Sequence, residues 1–217
     1  QEEMDKALSL FTEYDESIYN QIVENEDILD WYEDQLDTYL VKLSKIALSD
    51  EASTSVSKML HVVTDFERIG DHALNVAELA KKYHESNSSF SNQAVKEIGV
   101  LTTAIREIMS FAIESFNSSD LASAAQVEPL EEAIDAITSD MMDTHIERLV
   151  RGECTIELGF MLSDLINNCE RVADHCSNIA VYQIQVPQDE LDAHEYLQSM
   201  RQMPSRLSIS TISTSTH

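Results

Sequence analysis

The chain has 217 residues, of which 43% are hydrophobic, and its 40 acidic and 14 basic residues give it a net charge of −26. This acid excess argues against binding to nucleic acid or to an anionic membrane surface, because both interactions need a basic protein face. With only 4 Gly and 3 Pro, the composition argues against a turn-rich sheet protein and favours long helices.

Apolar residues at a spacing of three to four residues predict six helices. A break at 49–54 separates the second helix from the third, with Ser53 or Thr54 as the N-cap, and Gly152 is a good C-terminal cap for the fifth helix. Pro129 either begins or kinks that fifth helix. The predicted helices cover about residues 3–19, 25–48, 54–83 and 93–116, then a fifth that ends near 150, and 155–185.

A polar run at residues 84–92 separates the first three helices from the last three. Short connections make sequential helices antiparallel neighbours. The sequence therefore predicts an all-α protein built from two tandem antiparallel three-helix bundles, at residues 1–86 and 87–186. Residues 187–217 are predicted to form a tail, and its Ser/Thr-rich part after about residue 203 is predicted to be disordered.

No apolar run approaches the ~18 residues that a membrane span needs, and the three cysteines form no CxxC pair. We therefore expect a soluble protein of a reducing compartment, the cytoplasm, in which Cys154, Cys169 and Cys176 are small core residues. The chain opens with Gln1 rather than Met, which leaves open that it is part of a longer protein.

A short polar pattern occurs twice in the chain, as DFERIGDHALNVAE at 65–78 and as NNCERVADHCSNIA at 167–180. Because a hydrophobic core repeats only its apolar period, the shared polar residues need another explanation, and we interpret them as an internal duplication. At an offset of 103, the recurring residues are Glu67, Arg68, Asp71, His72, Asn75 and Ala77, which correspond to Glu170, Arg171, Asp174, His175, Asn178 and Ala180.

Each half carries two pairs of carboxylates spaced four residues apart, which places both members of a pair on one face of a helix. In an antiparallel hairpin the residue numbers of facing residues add to a constant, and Glu26 with Asp71 and Asp30 with Glu67 satisfy this rule. The second half repeats the arrangement. The carboxylates predicted to face each other are Glu26, Asp30, Glu67 and Asp71 in the first half, and Glu131, Asp135, Glu170 and Asp174 in the second.

Four facing carboxylates repel one another and cannot all stay ionised without a counterion. A multivalent cation resolves this repulsion, and ligands that are all oxygen favour hard ions such as Mg²⁺, Ca²⁺, Mn²⁺ or Fe³⁺. The alternative is that the acids pair with Arg68 and Arg171. We favour metal binding because the paired acids outnumber the nearby bases and because the duplication keeps the set.

Polar neighbours of the carboxylates have weaker claims as ligands. His72 and His175 lie about 100° away from the aspartates around the helix, so we expect them beside the site or between the bundles. Asn75 and Asn178 continue the carboxylate stripe and could orient a carboxylate or a bound water. Further nearby candidates are Asp37, Asp65, Asp143 and Asn168.

These paired motifs, with ERIGDHALNVAE and ERVADHCSNIA, resemble the PhoU family over roughly residues 3–185. The segments YLVKLS at 39–44 and HIERLVRGEC at 145–154 are more specifically similar to the PhoU-like domain that follows the membrane part of bacterial Na/phosphate cotransporters. The resemblance implies two three-helix bundles that bind metal ions through the eight carboxylates named above. It favours an iron cluster, with Mn, Mg, Ca, Zn and Ni as open alternatives.

The resemblance further implies a cytoplasmic regulator of phosphate uptake without enzymatic turnover, located at the inner face of the membrane if it belongs to a transporter chain. Its implied partners are a phosphate transporter or its membrane domain and a sensor kinase; a homodimer stays open. Two alternatives remain. The first is a metal-free acidic helical adaptor. The second is a carboxylate-bridged di-metal enzyme, which is less favoured because no E-x-x-H motif is aligned between the halves.

Overall fold

The computed structural model describes residues 1–184, and the predicted tail at 187–217 lies outside the described residues. Within this range the chain is all helical, as predicted, and none of its helices is both long and apolar enough to cross a bilayer. The six helices are α1 (Glu2–Ser9), α2 (Glu16–Ser44), α3 (Asp50–Glu85), α4 (Asn92–Ser118), α5 (Leu121–Val150) and α6 (Ile156–Ile184).

The predicted single first helix at 3–19 is wrong, because the chain breaks between α1 and α2. Asp15 is extended, and its Oδ1 accepts hydrogen bonds from the backbone N–H groups of Ser17 and Ile18, which begins α2 at Glu16. A carboxylate at this position satisfies backbone donors that have no partner inside the helix. Helix α1 ends at Ser9.

The same device begins α5, where Asp120 accepts from the backbone N–H groups of Ala122 and Ser123. Asp15 and Asp120 differ by 105 residues, so the duplication includes the helix caps. Pro129 lies inside α5, which settles the choice left open by the sequence: the helix begins before it.

The turns at the tips of the two hairpins fall where the sequence places them. The third helix begins earlier than predicted, at Asp50, because Ser49 rather than Ser53 or Thr54 is its cap and accepts from the Ala52 N–H. At the other tip the prediction for Gly152 is confirmed. Its φ is +71°, and the N–H groups of residues 152 and 153 bond the carbonyls of 149 and 148, which closes the end of α5.

One hydrophobic core joins the two halves. The helices α4, α5 and α6 form a three-helix bundle around buried residues such as Ile105, Ile134 and Leu162. Helix α3 packs antiparallel against α6, and Val76 and Ile179 belong to the same continuous core. Cys169 and Cys176 are buried in it as expected, and burial raises the pKa of each thiol to about 12. The division of the chain at residue 86 stays a prediction.

Candidate metal centre

The α2–α3 hairpin brings the predicted carboxylates of the first half together. Ligand oxygens of Glu26, Asp30 and Asp71 all lie within 4.8 Å of one another. Glu26 and Asp30 are one turn apart on α2. Asp71 lies opposite them on α3, as expected when the numbers of facing residues add to a constant. Three carboxylates at this separation can hold a hard cation with oxygen ligands only.

The fourth carboxylate of the first half, Glu67, lies beside Asp71 one turn earlier on α3. Burial raises the pKa of Glu67 to about 7, the charge of Asp71 adds to the effect, and Asp30 contributes less. Burial also raises the pKa of Glu26, followed by the charges of Asp30 and Asp71. The four acids therefore repel one another as the sequence argument expected, and protons compete with a cation for this site.

Arginine pairing does not remove this repulsion. Arg68 contacts Glu67 at 3.5 Å and Asp71 at 3.4 Å, but its side chain is 55% exposed. Exposed ion pairs of this kind contribute little free energy, and the pKa of Glu67 stays raised in spite of Arg68. Arg171 makes the equivalent contact of 3.4 Å with Asp174.

The second half keeps the same carboxylates but spreads them further apart. Burial raises the pKa of Glu131 to about 7, with the charges of Asp135, Glu128 and Asp174 adding to it. Glu170 lines an open cleft with Asp135 and Asp174 and accepts a 2.6 Å hydrogen bond from the Thr138 hydroxyl. Among residues 1–184, only Glu26, Asp30 and Asp71 form a set of three close ligand atoms.

Sequence reasoning missed two residues that distinguish the halves. At the offset of 105 that relates α2 to α5, Thr138 corresponds to Glu33. In the first half Glu33 extends the acidic stripe, and burial and Asp37 raise its pKa. In the second half a hydroxyl replaces that acid and donates to Glu170. Comparing the two repeats for differences as well as identities would have found this pair.

A polar seam joins the two halves where α3 meets α6. His72 Nδ1 lies 2.9 Å from Asn168 Oδ1, and His175 Nδ1 lies 2.8 Å from Asp65 Oδ1. The two pairs are related by the offset of 103, and the two imidazole rings are 5.7 Å apart. Of the two placements that the sequence left open for the histidines, the structure shows the one at the contact between the halves, α3 with α6. The carboxylate that Asn178 holds is Asp65, at 3.1 Å, rather than one of the eight predicted ligands.

Comparison with known proteins decides the family. The model of the PhoU domain family matches residues 1–80 and 100–182. The chain belongs to the PhoU family. Among its PhoU relatives, a phosphate-specific transport system accessory protein PhoU homolog from Thermotoga maritima is 21% identical, over 82% of this chain and 76% of its own length. A second one, from Pseudomonas aeruginosa, is 21% identical over 83% of this chain and 74% of its own length.

Solved PhoU structures share the fold. The crystal structure of PhoU from Pseudomonas aeruginosa has a TM-score of 0.79 at 20% identity, covering 85% of this chain and 88% of that one. The phosphate transport system regulatory protein PhoU from Streptococcus pneumoniae has a TM-score of 0.72 at 18% identity, covering 88% of this chain and 89% of that one. These similarities confirm the predicted helical fold class.

Proposed function

We propose that this protein is a metal-binding regulatory domain of phosphate uptake. The observation that carries the proposal is the convergence of Glu26, Asp30 and Asp71 within 4.8 Å in a chain of the PhoU family. The relatives are named as accessory proteins of phosphate-specific transport systems. A regulatory role in phosphate transport is the function that this family membership supports best.

The donor set of the first half fits a hard cation. All its ligand atoms are carboxylate oxygens, and no cysteine belongs to it. The cation would supply positive charge that offsets the repulsion between the acids, and Glu67 would release its proton as the ion binds. Fe³⁺, Mn²⁺, Mg²⁺ and Ca²⁺ match this chemistry. In the second half Glu131, Asp135 and Asp174 would be the ligands, with Glu170 held by Thr138.

Regulation by docking, without turnover, is the proposed mode of action. A net charge of −26 favours a partner with a basic surface. We place that surface on the cytoplasmic face of a phosphate transporter, and the resemblance of YLVKLS and HIERLVRGEC to cotransporter domains favours a Na/phosphate cotransporter. Metal at the carboxylates would reduce the negative charge of the docking face. A sensor kinase is a further candidate partner.

Phosphate uptake by cells that carry the phosphate transporter on which this protein is proposed to dock tests this proposal. Uptake is compared over a range of phosphate concentrations between the native chain, the double variant Asp71→Asn with Asp174→Asn, and the control Glu78→Gln, an exposed change on α3 outside the carboxylate set. We expect altered uptake in the double variant only. Equal uptake in all three would remove the regulatory role of the carboxylates.

A further inference from the structure

Four apolar side chains are exposed together at the tip of the α5–α6 hairpin. Ile146 and Val150 lie one turn apart at the end of α5. Ile156 and Phe160 lie one turn apart at the start of α6. Each is more than half exposed, and Val150 reaches 84%. A single exposed apolar residue is ordinary, but a group that covers on the order of a few hundred Å² marks a contact site. We call these four residues the tip patch.

The hydrophobic core of the second half closes beneath the tip patch. Arg148, which lies between the two exposed residues of α5, is buried against α4, where its Nη1 lies 3.0 Å from Glu97 Oε2. On α6, Leu158 lies between the two exposed residues and is itself buried. The tip patch is therefore the outer surface of a filled bundle. It lies at the opposite end of α6 from Ile184, the last residue that the structure describes.

Folding of such a hairpin does not require apolar residues at these positions. The α2–α3 hairpin of the first half has the same form, but three of its four corresponding positions are polar. At offsets of 105 for α5 and 103 for α6, Val150, Ile156 and Phe160 correspond to Lys45, Ser53 and Ser57. A shared fold with different tip residues indicates that the apolar ones serve a contact.

The tip patch continues the face of the hairpin that carries the carboxylates. Ile156 lies 18 residues before Asp174, which is about five turns, so the two side chains leave α6 on the same side. Ile146 lies 11 residues after Asp135, about three turns along the same side of α5. These separations are about 27 Å and 17 Å, at ~1.5 Å per residue. A single partner laid on this face would contact both the tip patch and the carboxylates.

Acidic side chains surround the tip patch. Glu147, Glu153 and Glu157 are all exposed. One exposed base lies among them, Arg151, whose guanidinium is 2.6 Å from Glu147 and 3.9 Å from Glu153. Three acids against one exposed base leave this rim negative, so a surface that complements it carries positive charge.

Two other occupants fit this surface poorly. An anionic lipid surface would repel the rim, since membrane attraction of this kind needs lysines and arginines. A second copy of the chain would bring the same acids face to face across a two-fold axis. The tip patch is also smaller than the ~800 Å² per partner that a stable dimer buries. The remaining occupant is a different protein with a basic surface.

We propose that the tip patch and its acidic rim form a docking surface for a partner protein that presents an apolar pocket flanked by lysines and arginines. The inference rests on the proposed function, which places that partner on the cytoplasmic face of a phosphate transporter. Apolar side chains at the centre of the contact supply most of its affinity, and the rim charges set the association rate and its dependence on salt. A contact of this area is weak and reversible, which suits a regulatory interaction.

Binding to inside-out membrane vesicles that contain the phosphate transporter tests the docking surface. The tip variant, Val150→Lys with Ile156→Ser and Phe160→Ser, introduces the residue types that the first half carries at these positions. We expect its Kd to be roughly tenfold higher than that of the native chain, or more, because a few central side chains carry most of the affinity. Phe160→Ser alone should shift the Kd in the same direction by less. Circular dichroism and thermal unfolding verify that both variants keep the native fold.

A control variant makes the same changes in exposed apolar residues at the tip of the α2–α3 hairpin. It combines Ile46→Lys with Val41→Ser and Met59→Ser, and its Kd should equal that of the native chain. That tip lies at the opposite end of the molecule, because α3 and α6 are antiparallel. In the rim, Glu153→Gln with Glu157→Gln should slow association and weaken its dependence on salt. An unchanged association rate would contradict a basic partner.

The outcomes separate this docking surface from the proposed function. A native chain that fails to bind vesicles with the transporter would overturn both. If the native chain binds and the tip variant binds equally tightly, the docking surface is wrong and the regulatory role stands. Equal binding of the native chain to vesicles without the transporter would also overturn the docking surface, because lipid would then be the occupant. Light scattering that finds a native dimer lost in the tip variant would overturn it in favour of a second copy.

Discussion

Asp65 Oδ1 lies 2.8 Å from His175 Nδ1, across the contact between α3 and α6. At the equivalent place in the other repeat, His72 pairs with Asn168. The duplication thus fixes the contact between the halves as well as the carboxylate pairs. Only one of the two seams contains an acid. Asp65 is also the acceptor for Asn178, so two side chains of α6 depend on one carboxylate of α3.

Removal of Asp65 should therefore destabilise the fold. Asp65→Ala removes a buried carboxylate that is the hydrogen-bond partner of the half-buried His175 and of Asn178, which should cost about 1–3 kcal/mol. Asp65→Asn should cost less, because Asn168 fills the corresponding position opposite His72. Denaturant unfolding monitored by circular dichroism measures both. An Asp65→Asn variant as unstable as Asp65→Ala would show that the charge, and not the hydrogen bonds, is what the seam requires.

The stability of the metal-free protein should depend on pH through Glu67. Its pKa is raised to about 7 from an ordinary value of 4.5, chiefly by burial. The folded state therefore binds the proton more tightly than the unfolded state does. The stability that Glu67 contributes by binding this proton is fully present below pH 4.5 and is lost as pH rises through 7.

Replacement by Gln isolates this effect, since Gln cannot ionise. With a chelator present, Glu67→Gln should gain stability over the native protein between pH 4.5 and 7 and then keep a constant advantage. Burial lowers the pKa of His72, and this makes stability rise with pH instead of fall. The effect of His72 is shared by both proteins. Glu78→Gln is the control. Parallel stability curves for Glu67→Gln and the native protein would contradict the raised pKa.

Two glycines should respond to alanine in opposite ways. A Cβ on Gly159 would lie 2.5 Å from Nε2 of the buried His145, whereas a Cβ on Gly99 meets nothing within 4 Å. Gly159→Ala should lose about 1–3 kcal/mol through overpacking. Gly99→Ala should gain about 0.5–1 kcal/mol, because alanine loses less backbone entropy in a helix. Thermal unfolding of the two variants gives the comparison, and a stable Gly159→Ala would mean that His145 moves freely.

The proximity of carboxylates in the first half was predictable because helices obey simple geometry. A spacing of four residues and the rule for facing residues predicted two sets of four carboxylates, and the structure brings Glu26, Asp30 and Asp71 of the first set within 4.8 Å of one another. The turns near Ser49 and Gly152 confirmed the hairpins. The break after α1 was not found, because Phe11, Ile18 and Ile22 keep a helical spacing through it. The decisive feature was a hydrogen bond from the backbone to Asp15, which apolar periodicity does not record.

The difference between the carboxylate sites of the two halves was not predicted from the sequence, for another reason. Matching identities between repeats revealed the eight carboxylates but gave no weight to Thr138, which differs from its counterpart Glu33. Whether Glu170 turns toward the other acids or toward a hydroxyl depends on side-chain packing. The seam, by contrast, follows the same facing rule as the hairpins: His72 with Asn168 and His175 with Asp65 share one constant sum.

Metal should stabilise the fold without being required for it. Binding that occurs only in the folded state adds about 2.7 kcal/mol when the free metal is at 100 times its Kd. The cores contain ample buried Leu, Ile and Val, so chelation should lower the melting temperature while the far-ultraviolet circular dichroism stays helical. A melting temperature indifferent to chelator and to added Fe³⁺ or Mn²⁺ would favour the metal-free adaptor.

Elemental analysis of the purified protein tests the central claim most directly. The native protein, Asp71→Asn and Asp174→Asn are each loaded with Fe³⁺ or Mn²⁺, desalted and measured for bound metal per chain. We expect the native protein to retain metal, Asp71→Asn to lose the share held by Glu26, Asp30 and Asp71, and Asp174→Asn to keep that share. A native protein without bound metal, or an Asp71→Asn variant with the native content, would contradict the metal centre.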